Sequence, residues 1–529
     1  MISLRYLAHR PCKLRLFRID RFYRIEHRFP SIGAPVSLNS VQPTSHRIPR
    51  RHQTVRSGWR ALPFGVGAGI AVLLAGCVHY EARPLQPEQT ARVLESRSLE
   101  LPALRTFLEA SGGRQLGAWP LRDWSVEELS VAAVFLNPDL ATLRAQRDLA
   151  EAGRQTAAGR PNPTVGLQGG YNFDAAHTGI TPWIPGTTFD LPIETAGKRT
   201  RRMERAAHQA RAARLNLAAA AWILRGTVRA AVVETLSAER KVTLLSDELD
   251  CTGRMVRILE QRLQAGAVTM VEVNSARVNR LRISAEAADA RRLALESRHK
   301  LAQAIGVPAT ALAGIHLNAP QPLPSRFPEE RSSLRAAALR ERADIQSALA
   351  SYEASESQLR LEIAKQFPDL HLGNGYQWDQ GENKWSFGLS LELPVLNRNQ
   401  GPIAEAMAHR TEAAAQVVAI QARVLGSLDQ VATLVALLRT QQRDAEVLAR
   451  ELTLQSQRIA ARAERGGADR LEVETARLEE LTQRLAAADL DLKLALAETA
   501  WESAIQQPLD AASFPPAVPV PASVPAPSP

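Results

Sequence analysis

Aromatic residues are scarce in this chain of 529 residues. Phe, Trp and Tyr together make up 5% of it, although hydrophobic residues make up 45%. Because globular cores obtain much of their buried area from aromatic side chains, this scarcity argues against a series of ordinary globular domains. Ala, Leu, Arg, Glu and Gln dominate the composition instead, which is typical of long helices. We therefore expect a mainly helical protein.

Recognisable catalytic and metal-binding motifs are also missing. The three cysteines, Cys12, Cys77 and Cys251, are far apart and form no CxxC pair, so they predict neither a disulfide framework nor a zinc site. The eleven histidines are scattered, and the chain has neither a Walker phosphate loop nor an HExxH motif. The sequence thus predicts a protein that is not an enzyme and has no cofactor or metal site.

The positive charge is confined to the N-terminus. The formal net charge is +10, but residues 1–60 hold 13 of the 65 basic residues and only two of the 55 acidic ones, and residues 61–76 hold no charge. From Cys77 onward 52 basic residues face 53 acidic ones. The remaining chain is nearly neutral, so the basic composition gives no support for nucleic-acid binding.

An uncharged apolar run ends at Cys77. Its apolar core of about 13 residues is short for a membrane span, which needs roughly 20, and suits the central region of a signal peptide behind Arg56 and Arg60. The run ends in LAGC, which resembles a lipoprotein processing site with Cys77 as the lipidated residue; the alternative is a core helix. We predict a basic segment at 1–54 that precedes a translation start near Val55, a signal peptide at 55–76 and a lipid-anchored segment at 77–124.

Two tracts of more than 100 residues, 193–307 and 403–507, contain no proline. Proline disrupts helix interiors, so both tracts predict long helices. Apolar and small residues recur at alternating spacings of three and four, for example from Leu217 to Leu245, which is the a/d pattern of coiled coils. A helix from Lys198 to Leu263 would measure roughly 100 Å at 1.5 Å per residue.

The chain also contains an internal duplication. Residues 262–278 align with 462–478 at an offset of 200, and residues 162–173 align with 367–378 at an offset of 205. The shared glycine of the first pair predicts the turn of a helical hairpin. We therefore predict two repeats, 125–335 and 336–508, each with the order helix, strand, strand, long helix, turn, helix, followed by a disordered Pro-rich tail at 509–529.

Four predicted strands alternate between apolar residues on one face and Gly, Ser, Gln or acidic residues on the other. This pattern is typical of a membrane β-barrel wall; the alternative is two hairpins packed on a soluble core. Four strands cannot close a barrel, and an open edge is not tolerated in lipid. The barrel interpretation therefore requires an oligomer, and three copies would supply twelve strands.

Taken in order, several segments resemble TolC-like outer-membrane factors of efflux pumps and type I secretion systems. They include GRPNPTVGLQGGY, RLQAGAVTMVEV and RAERGGADRLEV, and the resemblance covers about residues 125–506. The strand-end segments DLPIETAGKR and LPVLNRNQG resemble the Czc-type branch associated with heavy-metal cation efflux. Their simpler interpretation is a strand-to-helix corner with Gly197 or Gly401 and polar caps.

The resemblance implies a mainly α fold with membrane β structure. It implies a homotrimer with a twelve-stranded outer-membrane barrel and a periplasmic α-helical barrel, serving as a passive conduit without a cofactor. The implied partners are the lipid bilayer, a periplasmic membrane-fusion adaptor and an inner-membrane RND pump. By position, the adaptor would dock at the hairpin tips, on Arg262, Gly266, Thr269, Val273, Arg462, Gly466, Asp469 and Val473.

The sequence leaves three alternatives open. The tip residues could serve only to shape the turns and cap the helices. The channel could export drugs, or proteins by type I secretion. In a different class, the chain could be a lipid-anchored periplasmic coiled-coil scaffold with no pore.

Overall fold

The structure, a computed structural model, describes residues 80–112, 115–174, 179–320 and 331–507. The chain divides into two units, 1–83 and 84–529. Of the first unit only residues 80–83 are described, and they form neither helix nor strand. The segments predicted at 1–54, 55–76 and 509–529, and Cys77 itself, lie outside the described residues.

Ten α-helices occupy most of the described part of the second unit, and the longest has 67 residues. They are α1 (Pro87–Glu95), α2 (Pro102–Gly112), α3 (Val126–Leu136), α4 (Pro138–Ala158), α5 (Lys198–Gln264), α6 (Met270–Ile305), α7 (Arg331–Glu341), α8 (Ala343–Ala364), α9 (Gln400–Glu464) and α10 (Arg470–Ile505).

The described residues include six strands, which form two sheets. They are β1 (Asp123–Trp124), β2 (Thr164–Tyr171), β3 (Trp183–Ile193), β4 (His316–Leu317), β5 (Leu370–Asp379) and β6 (Glu382–Leu391). Strands β1 and β4 pair in parallel, whereas the larger sheet is antiparallel with the order β2-β3-β5-β6. The central pair, β3 with β5, joins a strand from each repeat, so the two repeats share one sheet.

The predicted order of each repeat is confirmed. Repeat 1 runs α4, β2, β3, α5, turn, α6, and repeat 2 runs α8, β5, β6, α9, turn, α10. Helices α5 and α6 pack as one hairpin, α9 and α10 pack as the other, and α5 also contacts α10. Helices α1, α2, α3 and α7 were not predicted, and the repeat boundary proposed between residues 335 and 336 falls inside α7.

The predicted a/d positions lie at the helix contacts. Leu217, Val228 and Leu245 of α5 are buried, as are Val424 and Leu428 of α9. Alternation of three and four keeps such residues on one side of a helix, and burying that side is what stabilises a helix too long to belong to a compact core.

In each repeat the short helix begins where the last helix ends. Helix α6 stops at Gly306, and the Asn137 side chain, which caps the start of α4, donates from Nδ2 to the Ala304 carbonyl at 3.0 Å. In repeat 2, α10 stops at Gln506, whose Oε1 accepts from the Ala343 amide of α8 at 2.9 Å. In repeat 1 a side chain at the start of α4 thus pairs a carbonyl at the end of α6, and in repeat 2 a side chain at the end of α10 pairs an amide at the start of α8.

The largest apolar core lies around the junction in repeat 1. Helices α2 and α3 cover it and contribute Leu104 and Leu129, which are fully buried together with Trp124. The equivalent core of repeat 2 is smaller and is built around Ile345, Trp501 and neighbouring residues of α7 and α9.

Candidate functional site

One face of the four-stranded sheet exposes an apolar surface. The side chains that alternate outward include Leu167 and Phe387, which are 85% and 81% exposed. Isolated apolar side chains are common on soluble proteins, but a continuous patch of them marks contact with a membrane or a partner. Other large exposed members of this face are Val165, Tyr171, Trp183, Phe189, Leu191, Ile193, Leu372, Trp385, Leu389 and Leu391.

Aromatic rings gather at the end of the sheet away from the helices. Tyr171 lies 5.0 Å from both Phe173 and Trp183, and Tyr376 lies 5.0 Å from Trp385, measured between ring centroids. Aromatic side chains with a polar edge are favoured where an apolar membrane meets water. The position of these rings therefore fits one boundary of a membrane-facing band.

The opposite face is polar and rich in glycine. Register places Gly166, Thr188, Gly375 and Ser386 in one row across all four strands, and Thr164, Asp190, Gly373 and Gly388 in the next row toward the helices. A Cβ on Gly166 or Gly375 would lie 2.5 Å from the hydroxyl oxygen of Thr188 or Ser386. Glycine at these two positions thus makes room for neighbouring hydroxyl groups.

The sheet has two edges, and they come from different repeats. Among the described residues, β2 of repeat 1 pairs only with β3, and β6 of repeat 2 pairs only with β5. An edge strand presents unpaired backbone donors and acceptors along its length. The two edges of one copy are therefore available for pairing with other copies.

Polar contacts fix the corner between β3 and α5. The Lys198 ammonium lies 2.8 Å from Asp369 Oδ1, and the Thr195 amide donates to the same oxygen at 2.9 Å. Burial acts to raise the pKa of Asp369, but these hydrogen bonds outweigh it and lower the pKa. Gly197 takes the left-handed conformation there, with φ of 71°. The sequence interpretation of a strand-to-helix corner at Gly197 agrees with this geometry.

At the second corner Gly401 was the wrong residue. Gly401 lies inside α9, and Asn399 takes the left-handed conformation with φ of 61°. Its Nδ2 donates to the backbone carbonyl and the carboxylate of Glu362, at 2.8 and 2.9 Å. Asparagine tolerates this conformation better than most residues, and here its side chain also ties the corner to α8.

Both hairpin tips use the same turn. Gly266 and Gly466 are left-handed, with φ of 72° and 76°. The amides that follow, of Ala267 and Gly467, return to the carbonyls of Arg262 and Arg462 at 2.8 and 2.9 Å. This is the hydrogen-bond pattern with which glycine ends a helix, so the two glycines have a clear role in the turn.

The other predicted tip residues divide into three kinds. Thr269 caps α6 by accepting from the Glu272 amide, whereas Val273 is fully buried and Val473 is half-buried. The Arg262 guanidinium pairs with Asp469 of the other hairpin, and this hydrogen bond lowers the pKa of Asp469. Arg462 binds within its own hairpin, to Glu472 at 3.2 Å and to the Gly467 carbonyl. The structure brings the two tips together through Arg262 and Asp469.

Sequence reasoning missed two apolar residues at the first tip. Met270 and Val271 begin α6 and are 54% and 73% exposed. The sequence carries a signal for them, since these two apolar side chains precede Glu272, the first acidic residue of the helix.

A buried ion cluster joins the repeats further from the tips. Glu502 of α10 pairs with Arg225 and, at 3.3 Å, with Arg229 of α5, and all three are at most 4% exposed. A second pair, Arg439 with Glu498 at 2.9 Å, links α9 with α10 and has a more exposed arginine. Buried charges of this kind need their partners, because an isolated one is costly.

No group of three or more His, Cys, Asp or Glu side chains that could hold a metal ion occurs in the described part of the chain. Among the described helices, none is long and apolar enough to cross a membrane.

Known proteins share parts of this sequence and of this fold. The family model described as outer membrane efflux protein matches residues 129–307, from α3 to the end of α6. Residues 129–307 are therefore similar to outer membrane efflux proteins. The matched segment contains α4, β2, β3, α5 and α6 of repeat 1.

The chain is also similar to the cobalt-zinc-cadmium resistance protein CzcC of Cupriavidus metallidurans, with 28% identity over 290 residues. That match covers 53% of this chain and 65% of CzcC, slightly less than two thirds of the relative's length.

Two solved structures are similar to a larger part of the chain. The outer membrane protein VceC from Vibrio cholerae aligns with a TM-score of 0.60 at 21% identity, over 73% of this chain and 97% of VceC. CusC, whose crystal structures concern folding and transmembrane channel formation, aligns with a TM-score of 0.55 at 18% identity, over 81% of this chain and 98% of CusC. The predicted TolC-like fold is confirmed.

Proposed function

We propose that this chain is the outer-membrane channel of a tripartite efflux system and that three copies form a passive conduit for divalent heavy-metal cations. The observation that carries the proposal is the sheet, which has one exposed apolar face, one polar face and two edges from different repeats. In lipid both edges must pair, and pairing β6 of one copy with β2 of the next closes a ring. Three copies then give twelve strands with the polar face inward.

The helices supply the second part of the conduit. Helix α5 has 67 residues and α9 has 65, so each is about 100 Å long at 1.5 Å per residue. Both begin directly below the sheet, at the corners of Lys198 and Asn399. In the trimer these hairpins would continue the barrel as a periplasmic tunnel. Lipidation of Cys77 would anchor each chain to the same membrane.

The hairpin tips are our proposed docking site for a membrane-fusion adaptor, which would link the channel to an inner-membrane RND pump. Exposed Thr269 and Asp469 are accessible to a partner, and Met270 and Val271 add an apolar contact. Buried Val273 would act through the shape of the tip. The heavy-metal cargo is supported by the similarity to CzcC.

Planar-bilayer recording tests the conduit directly. Purified full-length chains should give discrete single-channel currents in KCl, because a closed twelve-stranded ring leaves a water-filled lumen. Well-folded protein that gives no current would reject the channel and favour the poreless coiled-coil scaffold.

Complementation tests the cargo and the tips together. A deletion strain should lose tolerance to cadmium, zinc or cobalt more than to dyes and antibiotics, and the wild-type gene should restore it. Val271→Glu should fail to restore tolerance, since a charge would be buried at the adaptor contact, whereas Val271→Ile should succeed. Loss of drug tolerance alone would assign the channel to drug export instead.

A further inference from the structure

The polar face of the sheet carries ionisable side chains only near its two ends, as far as the described strands show. Near the β5–β6 turn, Lys384 pairs with Asp379 at 2.6 Å. Near the helices, His371 of β5 lies beside Asp190 of β3. Between the two ends the rows hold Gly, Ser, Thr and Gln. The His371 and Asp190 pair is therefore a distinct chemical feature of this face.

Geometry orients the His371 ring. Its Nδ1 lies 2.9 Å from Asp190 Oδ2. Since the carboxylate accepts, Nδ1 carries the proton in the neutral ring, and Nε2 keeps its lone pair. Metal-ligating imidazoles are usually held by a carboxylate in this way. The carboxylate fixes the orientation of the ring and makes Nε2 a more basic metal ligand.

The surroundings leave the His371 side chain accessible. In the row of Asp190, β5 and β6 hold Gly373 and Gly388, so no side chain of this row fills the space on that side of Asp190, and on its other side β2 holds the small Thr164. The small Ser390 lies opposite His371 on β6, and the His371 side chain is 42% exposed. A hydrated cation can therefore reach the ring from the polar side of the sheet.

Among the described residues, two other histidines contact carboxylates, but they lie in different surroundings. His208 lies 3.0 Å from Glu353, whose carboxylate Arg211 also contacts at 3.3 Å. His409 on α9 has Glu405 near Nε2 and Glu412 near Nδ1, at 3.6 and 3.4 Å. Both lie on helices. Among these three pairs, only His371 is placed on the face that would line the barrel.

We propose that His371, oriented by Asp190, is a weak and exchangeable binding site for divalent cations such as Zn²⁺, Co²⁺ and Cd²⁺ on the inner wall of the barrel. This inference rests on the proposed function, since the polar face becomes an inner wall only when the sheet closes. Imidazole suits these borderline cations, and the remaining ligands are water. One protein ligand from each copy suits a conduit, because a cation must leave the site as readily as it enters.

Zinc inhibition of potassium current tests the site. Single channels of the full-length chain are recorded in KCl with increasing ZnCl₂, and each variant is normalised to its own current without zinc. We expect Zn²⁺ to reduce the wild-type current, and His371→Gln to raise the half-blocking concentration at least tenfold. Asp190→Asn should raise it about threefold, because the amide oxygen still accepts from Nδ1 but lacks the charge. His409→Gln is the matched control and should behave as wild type.

The outcomes separate this inference from the channel itself. Current that Zn²⁺ does not reduce, or block that survives in His371→Gln or disappears in His409→Gln, overturns the cation site and leaves the channel standing. If no variant conducts, the proposed function fails, and calorimetric titration of the same proteins with ZnCl₂ decides the site. Loss of one bound zinc per chain in His371→Gln would support it, and identical titrations of His371→Gln and wild type would reject it.

Discussion

The two repeats close the same helix junction with different residues. In repeat 1, Gly306 ends α6 in the left-handed conformation, and the Arg97 guanidinium donates to the carbonyls of Leu136 and Gly306 at 2.6 and 3.3 Å. Burial lowers the pKa of Arg97. In repeat 2, Gln506 takes the left-handed position, and Arg342 donates to the Ala504 carbonyl while pairing with Asp344 at 2.7 Å.

The arginines at the two junctions come from different parts of the chain. Arg342 directly precedes α8 and so belongs to the junction it closes. Arg97 comes from the segment before repeat 1 and is 209 residues from Gly306. The segment that contains Arg97 is therefore part of the folded core of repeat 1. Without it, the helix junction of repeat 1 would lack its arginine. The predictions below test the contacts that join the repeats and the positions at which the repeats differ.

The largest effect should come from the buried ion cluster that joins the repeats. Glu502→Gln would leave Arg225 and Arg229 without their carboxylate in a buried site, which should cost about 3–5 kcal/mol of unfolding free energy. Glu498→Gln should cost only about 1–3 kcal/mol, since Arg439 can turn toward water. Denaturant unfolding of detergent-solubilised protein measures both, and equal losses would contradict the comparison.

Exchanging the junction residues should have an intermediate and asymmetric effect. Gly306→Gln places a side chain in the left-handed region with its Cβ 3.0 Å from Asn137 Cα and the Leu136 carbonyl oxygen, which should cost about 3 kcal/mol. Gln506→Gly removes left-handed strain but also a hydrogen bond to Ala343, so its net effect should stay within about 1 kcal/mol.

The same denaturant experiment compares the two exchanges. Equal destabilisation by Gly306→Gln and Gln506→Gly would show that the junctions do not differ in this respect.

The smallest effect on stability is expected at two equivalent positions, Cys251 of α5 and Glu451 of α9. A cysteine thiol should differ clearly in reactivity between them. Burial, and then Glu474, raise the pKa of Cys251 to about 12, whereas Glu451, 200 residues later, is exposed. At pH 8 the native Cys251 thiol should resist iodoacetamide, while a cysteine introduced by Glu451→Cys should react readily. Peptide mass mapping after labelling gives both extents.

The raised pKa also predicts a pH dependence. The neutral Cys251 thiol contributes stability below the pKa of the unfolded thiol, and that contribution is lost as pH rises from about 8.5 toward 12. Rapid labelling of native Cys251 at pH 8 would contradict both statements.

Local patterns in the sequence were sufficient for the repeated elements. The absence of proline predicted helices that α5 and α9 confirm, and the spacing of Leu217 and Val228 predicted their buried side. Alternation predicted which strand residues share a face. These features depend on residues that are close together in the sequence, so a single sequence is sufficient to predict them.

Features that depend on distant partners could not be predicted. Arg97 reaches Gly306, Arg262 reaches Asp469, and His371 reaches Asp190 across 181 residues or more. Only the packing of repeats and the register of β3 with β5 bring these pairs together. The choice of Gly401 over Asn399 failed for a simpler reason, because glycine is not the only residue that adopts the left-handed conformation.

The sheet edges described above have a genetic consequence under the proposed closure. Because β2 comes from repeat 1 and β6 from repeat 2, each seam of the ring joins unlike edges of neighbouring copies. A copy with a mutation that prevents β6 from pairing keeps an intact β2. It can therefore still assemble with wild-type copies, but one of the three contacts between copies then has unpaired strand edges. A single such subunit would prevent closure of the whole barrel. In a cell that expresses both alleles, the mutation would therefore be dominant.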